Sequence, residues 1–454
     1  MKRKILMRLG LPCLISLFLV GCEAEDRIRD ALQTIRESTS AEQILDSAKS
    51  TLEESKQDTE TKQGDDTVEK EVTTENATDY SITEFDVLEE TEGIPAKDTE
   101  KRDQLGLTQE GISEILQAQS GFYHFAQLNL SEQSLYAEIL RILELREEEI
   151  VISSLDEKEI DKAFQCVMND HPEIFYVSGY TYTKFALGEK IQRISFRGTY
   201  TMELEQIAQT RTQIEQYASQ CFSGMGTKLS DYEKVKYIYE YIIANTDYNL
   251  SSLENQNMIS VCVYGKSVCQ GYAKTMQYLL NRAGVSSTLV IGKVNTGEGH
   301  AWNLVLVEGD YYYVDVTWGD AFYRFGDNAY ETTEQKLPIV NYDYFCVTSE
   351  AIRKTHTVQN IVEMPVCSSL LANYYVREGT YFVELNESQI EAAFVRAYQN
   401  GSSYLTLKMA SNDVYYSMEQ NLIKEQNIFR YLTSETKTIA YTTNEEQGSI
   451  SFWL

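Results

Sequence analysis

Positive charge is the scarce ingredient of this 454-residue chain: 40 Lys and Arg stand against 69 Asp and Glu, a formal balance of −29. A nucleic-acid binder needs a basic face to displace phosphate counterions, so DNA and RNA partners are excluded. Long apolar runs are missing too. Leu9 to Val20 is the longest candidate, and it falls short of the roughly 20 residues that a membrane-spanning helix requires. Histidine is rare, at four positions: His124, His171, His300 and His356. There is no His-Glu-x-x-His and no Cys-x-x-Cys, which removes the common zinc motifs, and no loop carries the regularly spaced acidic ligands of a calcium site. No metal is therefore expected. Gly265-Lys266-Ser267 has the end of a phosphate loop, but Ser260 stands where the earlier glycine is required. Gly297-Glu298-Gly299 lacks the third glycine of a dinucleotide motif, so no cofactor is expected either.

What is present begins with an address. Lys2, Arg3, Lys4 and Arg8 precede the short apolar run, the pattern of an export signal. The run ends in Leu19-Val20-Gly21-Cys22, which resembles the lipobox of bacterial lipoproteins. That resemblance implies cleavage after residue 21 and a diacylglycerol on the Cys22 thiol. An ordinary secretory signal with an incidental cysteine is the plainer alternative. From Glu23 to Leu105 there are 25 acidic and 10 basic residues, a net of −15, with Tyr80 and Phe85 the sole aromatics. Such composition buries too little apolar surface to offset its ordering entropy, so residues 22–105 are expected to form an acidic, self-repelling tether between membrane and body.

Beyond Leu105 the aromatic density rises and folded elements become readable. Leu135, Ile139, Ile142 and Leu143 share a face of a helix expected over Ser131–Glu149. Strands are expected at Ile174–Thr183 and Arg193–Thr201. Ser230-Asp231-Tyr232-Glu233 reads as a capping box that opens a helix. A second helix is expected over Val268–Ala283, with Gly284 placed to end it. Strands follow at Thr288–Gly292, Ala301–Val307 and Tyr311–Thr317, the last two joined as a hairpin at Glu308-Gly309-Asp310. After Cys367, strands at Tyr374–Phe382, Tyr404–Met409, Thr438–Thr442 and Ser449–Trp453 alternate with helices near Ser388–Tyr398 and Val414–Leu432.

One cysteine is placed unlike the rest. Gly265-Lys266-Ser267-Val268-Cys269-Gln270-Gly271-Tyr272-Ala273 puts Cys269 at a loop-to-helix junction, where the helix N-terminus stabilises the nucleophilic thiolate. Gly299-His300-Ala301-Trp302-Asn303 places a histidine at a strand start, and Tyr313-Val314-Asp315-Val316-Thr317-Trp318 places an aspartate at the next. A two-residue loop at Glu308-Gly309 would set residue 302 opposite 315 and make His300 a diagonal neighbour of Asp315 on the same face. Acyl transfer from an amide needs these three groups: a thiol that attacks the carbonyl, a base that takes its proton and returns it to the leaving amine, and a carboxylate that orients the base.

These segments, in this order, resemble the motifs of the bacterial transglutaminase-like family, a branch of the papain-like Cys-His-Asp fold. The similarity covers roughly Leu229 to Thr357, including Tyr344-Phe345 and the run to His356. His171-Pro172-Glu173-Ile174-Phe175 is similar to the N-terminal extension of surface members. The resemblance implies Cys269 as nucleophile, His300 as general base and acid, and Asp315 as orienting carboxylate. It also implies an oxyanion hole from the Cys269 amide and an upstream donor, for which Gln256 is the candidate and Asn257 about as good. The expected fold is α+β: a papain-like core with its catalytic helix packed on an antiparallel sheet over 229–366, an α/β extension over 106–228, and a small α+β domain over 367–454. Trp302 and Trp318 are expected as groove walls or core, and His171 and His356 as structural.

Leaving Cys269 free gives an odd set of remaining thiols, Cys166, Cys221, Cys262, Cys346 and Cys367, so no dense disulfide framework is expected. The function that follows is an exported, lipid-anchored enzyme acting on amide bonds of proteins or peptides. Peptidase, amidase and cross-linking activity share one thioacyl intermediate and stay open. A non-catalytic surface scaffold is the alternative reading.

Overall fold

The computed structural model describes residues 95–320, 340–433 and 438–454, with the backbone of three upstream strands, Leu6–Met7, Lys70–Glu71 and Ser81–Glu89. Cys22 and the rest of the leader lie outside the described residues. The chain divides into two compact units, one spanning Val68–Arg377 and the other containing Glu378–Leu454. The sequence expected as an N-terminal extension therefore shares a unit with the catalytic segments. Among the described residues, no helix is long and apolar enough to cross a membrane.

Three sheets are described in the larger unit, the smallest a parallel pair of Asp247–Tyr248 with Lys266–Ser267. In the first, the strands run in the order Lys70–Glu71, Ser81–Glu89, Val177–Leu187, Lys190–Tyr200, Ile150–Ile152. Helices Leu130–Leu145 and Glu157–Asp170 belong with this sheet. Asn129 and Glu132 close a capping box at the start of the former, and its Leu135, Ile139, Ile142 and Leu143 are buried as the periodicity predicts. Phe164, Tyr180 and Phe196 form an aromatic centre beneath, the last two stacked at 5.0 Å.

The end of the expected tether is corrected here. Ser81–Glu89 pairs in parallel with Val177–Leu187, and Ala96–Gln104 is a helix. That helix buries no residue of its own. Its basic side chains hold it instead: Arg102 Nη2 donates to Glu138 Oε1 at 2.7 Å, and Arg102 also donates to the Val151 carbonyl. Glu138 is only 1% exposed, so the guanidinium neutralises a carboxylate that burial would otherwise make costly. A net-charge count does not reveal such pairing.

The second sheet is fully antiparallel, in the order Asp310–Val314, Gly299–Val307, Ser287–Val294, His356–Val358. The hairpin has the two-residue loop expected: Val307 pairs with Asp310, and Glu308 and Gly309 both take positive φ, as a tight primed turn demands. Helix Cys269–Arg282 packs on this sheet through Ala273, Leu289, Ile291 and Ala301. The two alanines keep helix and strand close, and Asn303 Nδ2 donates to the Ala273 carbonyl at 3.0 Å across the gap. Gly284, at φ 78°, ends the helix. One expectation fails at the third strand. It stops at Val314, and Asp315 caps a single helical turn, Val316–Gly319, because its side chain accepts the amides of Thr317 and Trp318.

In the second unit, Ala440–Asn444, Ser449–Trp453, Tyr404–Met409 and Tyr381–Phe382 lie side by side, with Phe382, Phe394, Leu407, Ile450 and Phe452 in the core. Two expectations are corrected nearby. Tyr374–Arg377 is a helical turn and only Tyr381–Phe382 is strand. The long helix expected to Leu432 breaks into Asn412–Glu419, a π turn at Gln420–Lys424 and a 3₁₀ turn at Asn427–Arg430, with Gln426 left-handed between the last two.

Candidate active site

The catalytic helix begins on Cys269 itself. Val268 is the extended N-cap residue and makes no side-chain cap hydrogen bond, so the thiol sits on the first residue of the helix, at its positive end. The glycine two residues on is required by space. A Cβ on Gly271 would stand 2.0 Å from Ser267 Oγ, 2.5 Å from Ser260 Oγ and 2.8 Å from the Asn257 carbonyl. The preceding loop is thus wedged against the first turn, and Ser260 and Ser267 bond each other at 2.5 Å. Tyr272, fully buried one residue later, places its hydroxyl 3.0 Å from both Asp320 Oδ2 and the Thr246 carbonyl, which share its one hydrogen.

His300 and Asp315 meet as the hairpin register requires. His300 Nε2 lies 2.8 Å from Asp315 Oδ2. The other carboxylate oxygen, Oδ1, accepts the Thr317 and Trp318 amides at 2.9 and 3.0 Å. With Nε2 committed to the carboxylate, the opposite ring nitrogen of His300 is the one available to Cys269. Burial pulls the His300 pKa down, but the charge and hydrogen bond of Asp315, joined by the Cys269 thiol, push it up to about 10. Burial would raise Asp315, yet His300 and His356 hold its carboxyl well below the usual carboxylate range. The pair is therefore poised as imidazolium and carboxylate.

A residue read as structural stands in the same cluster. His356 Nε2 lies 3.0 Å from the same Asp315 Oδ2, and its Nδ1 lies 2.8 Å from Thr355 Oγ1. It is walled by the rings of Trp302, Trp318 and Tyr344, at 4.9, 4.7 and 5.7 Å. Burial and the charge of His300 outweigh Asp315 and lower its pKa, so His356 is neutral where His300 is charged. Among the described residues, His300, Asp315 and His356 form the one group whose donor atoms, within 4.8 Å of one another, have the spacing of a metal site. All three atoms already share histidine–carboxylate hydrogen bonds, so the cluster is satisfied by its own protons.

The remaining candidates are less central. Gln256 has an exposed side chain, and its carbonyl accepts from Lys274 Nζ at 3.1 Å. Asn257 is spent locally, its Oδ1 accepting the Ile259 amide at 2.7 Å and its Nδ2 donating to Glu254. The six cysteines among the described residues, Cys269 included, are free thiols. His171 bonds Glu173 at 2.7 Å and Gln119 at 2.9 Å, as a structural histidine would.

Residues 216–316 match the profile of the transglutaminase-like superfamily. The chain carries a transglutaminase-like domain. The matched stretch contains Cys269, His300 and Asp315 and stops short of His356. Mouse kyphoscoliosis peptidase is 26% identical over 139 residues and the human protein 24% over 139 residues, a match covering 27% of this chain and 20% of each relative. The match spans only a fifth of either relative's length. Among solved structures, a TGase is similar at 15% identity, covering 31% of this chain and 50% of its own, with a TM-score of 0.23. A candidate cysteine protease from Cytophaga hutchinsonii is similar at 18% identity, covering 29% and 55%, with a TM-score of 0.21.

Proposed function

We propose that this protein is an exported, lipid-anchored cysteine acyltransferase or hydrolase acting on amide bonds of protein or peptide substrates. One observation carries the proposal: His300 Nε2 is held 2.8 Å from the Asp315 carboxylate, which leaves its other ring nitrogen for the Cys269 thiol at the helix start. In the chemistry this supports, Cys269 Sγ attacks the carbonyl carbon as its proton resides on His300. The oxygen takes up the negative charge, which the positive end of the helix that begins at Cys269 stabilises. Collapse breaks the C–N bond, and His300 delivers its proton to the departing amine, leaving a thioester on Cys269. Attack by water, with His300 taking the proton, gives hydrolysis. Attack by a substrate amine gives a cross-link, and the thiol is regenerated in both cases. The loop beside the nucleophile, tied by the Asn249 amide to the Ser267 carbonyl at 2.8 Å, leaves Leu250 and Leu253 75% and 69% exposed. Exposed on the loop tied to Ser267, they are the apolar side chains this reading assigns to contact with residues flanking the attacked amide.

The anchoring half of the proposal rests on the leader pattern and Cys22. The test for catalysis is the mature chain incubated with casein, read as ammonia release, incorporation of a fluorescent primary amine, and new N-termini. At least one signal is expected, and Cys269→Ala abolishes it. No signal from the native chain, or an equal signal from Cys269→Ala, refutes the enzyme. Fractionation of cells producing Cys22→Ala tests the anchor, which predicts release from the membrane.

A further inference from the structure

We infer that His356 is a positioning residue of this site: a neutral histidine that shares the Asp315 carboxylate with His300 and sets how strongly that carboxylate holds the imidazolium. The inference rests on the Cys-His-Asp reading above. It begins with a count of donors. Asp315 receives four N–H groups, the Thr317 and Trp318 amides on Oδ1 and the two histidine Nε2 atoms on Oδ2. The amides fix the carboxylate plane. The fourth donor fixes something else, because it competes with His300 for a single oxygen.

The orientation of His356 leaves it one role. Its Nε2 faces the Asp315 carboxylate, which only accepts, so the neutral ring carries its hydrogen on Nε2, and Nδ1, 2.8 Å from Thr355 Oγ1, is left as the acceptor. The groups packed around the ring are His300, Asp315, Thr355, the Ile352 carbonyl, Trp302, Trp318 and Tyr344. None of them but Asp315 is an anion that would hold a second imidazolium, and the charged His300 lies 5.2 Å away, centroid to centroid. With 0% of its surface exposed, the ring does not reach substrate. It therefore acts through Asp315. Donating to Oδ2, it disperses part of the negative charge that His300 would otherwise have to itself, and so keeps the His300 proton available to the leaving amine. A hydrogen bond to a charged group carries a free energy equivalent to about a tenfold change in an equilibrium constant, or one pH unit.

The test follows the rate of Cys269 alkylation by iodoacetamide against pH, read by peptide mass spectrometry, with thermal melting alongside. An imidazolium–thiolate pair gives two steps: an acid step where the pair forms and a basic step where His300 loses its proton. His356→Phe keeps a ring in the aromatic cage and removes the donor. It is expected to move the basic step upward by about one pH unit. His356→Gln retains an N–H and is expected to leave the step in place. Thr355→Val, a small change that removes the hydroxyl opposite Nδ1, is expected to move it in the same direction by less, and serves if His356→Phe does not fold. Two steps in the native chain with no displacement in His356→Phe or Thr355→Val overturn the positioning role and leave the catalytic reading intact. Equal loss of reactivity in His356→Phe and His356→Gln with neither step displaced marks a purely structural histidine and also overturns it. A single step in the native chain, as for an unfolded cysteine, means no ion pair exists, and both readings fail.

Discussion

Replacing Asp315 with Asn tests the electrostatic centre of the site. Asn retains an oxygen for the Thr317 and Trp318 amides, but its NH₂ group would face the two histidine N–H groups that now donate to Oδ2. His300 is left buried with no counter-charge. Removing one partner of a buried ion pair costs about 3–5 kcal/mol, a large fraction of a domain's 5–15 kcal/mol. The pH dependence gives the sharper signature. His300 is raised from an ordinary 6.5 to about 10, so its contribution to stability is complete below 6.5 and declines as pH rises through about 10. Asp315 is lowered from 3.8, so its contribution is complete above 3.8 and is lost as pH falls through its depressed folded value. The gap in urea stability between native and Asp315→Asn chains is therefore widest between about pH 4 and 6.5 and narrower at pH 9. A gap below about 1 kcal/mol at pH 5.5, or one that widens toward pH 9, refutes the reasoning.

Three further outcomes follow from packing. Gly271→Ala drives a methyl into Ser267, Ser260 and the Asn257 carbonyl, and is expected to cost about 1–3 kcal/mol by urea unfolding and to slow Cys269 alkylation. His124→Leu strips a fully buried ring from Asp170, Thr288 and Asn360, which it bonds at 3.1, 2.9 and 2.9 Å. A loss of at least about 2 kcal/mol is expected, with alkylation per folded molecule unchanged. If the two exposed leucines contact residues flanking the attacked amide, as proposed, Leu250→Ser with Leu253→Ser raises KM for an apolar peptide amide and leaves kcat within about twofold.

The segments carrying the chemistry were readable because their signals are local. Cys269 follows an extended residue at a helix start, and the Glu308-Gly309 turn fixes the strand register that brings His300 to Asp315. The capping box at Ser230 and Glu233 is likewise written in four consecutive residues. What escaped reading depends on partners far along the chain. His356 reaches Asp315 from 41 residues away, on a strand of three residues without motif of its own. His124 bonds Thr288 and Asn360 at separations of 164 and 236 residues, a network that locks the first sheet's helices to the second sheet. Helix Ala96–Gln104 was hidden for a different reason: its sequence is as polar as a tether, and its attachment is through Arg102 and the buried Glu138. Asp315 illustrates the boundary between the two. Its position was legible, while its capping of Val316–Gly319 emerged only when the side chain was seen accepting two amides.

The central claim is that His300 activates Cys269 for attack on a carbonyl. Alkylation by iodoacetamide at pH 6, measured on the Cys269 peptide in the native chain, in His300→Ala and in the native chain unfolded in urea, tests it most directly. The account predicts that folded Cys269 reacts at least tenfold faster than in His300→Ala and faster than in the unfolded chain, where access is complete. Equal rates in the folded chain and in His300→Ala would contradict it.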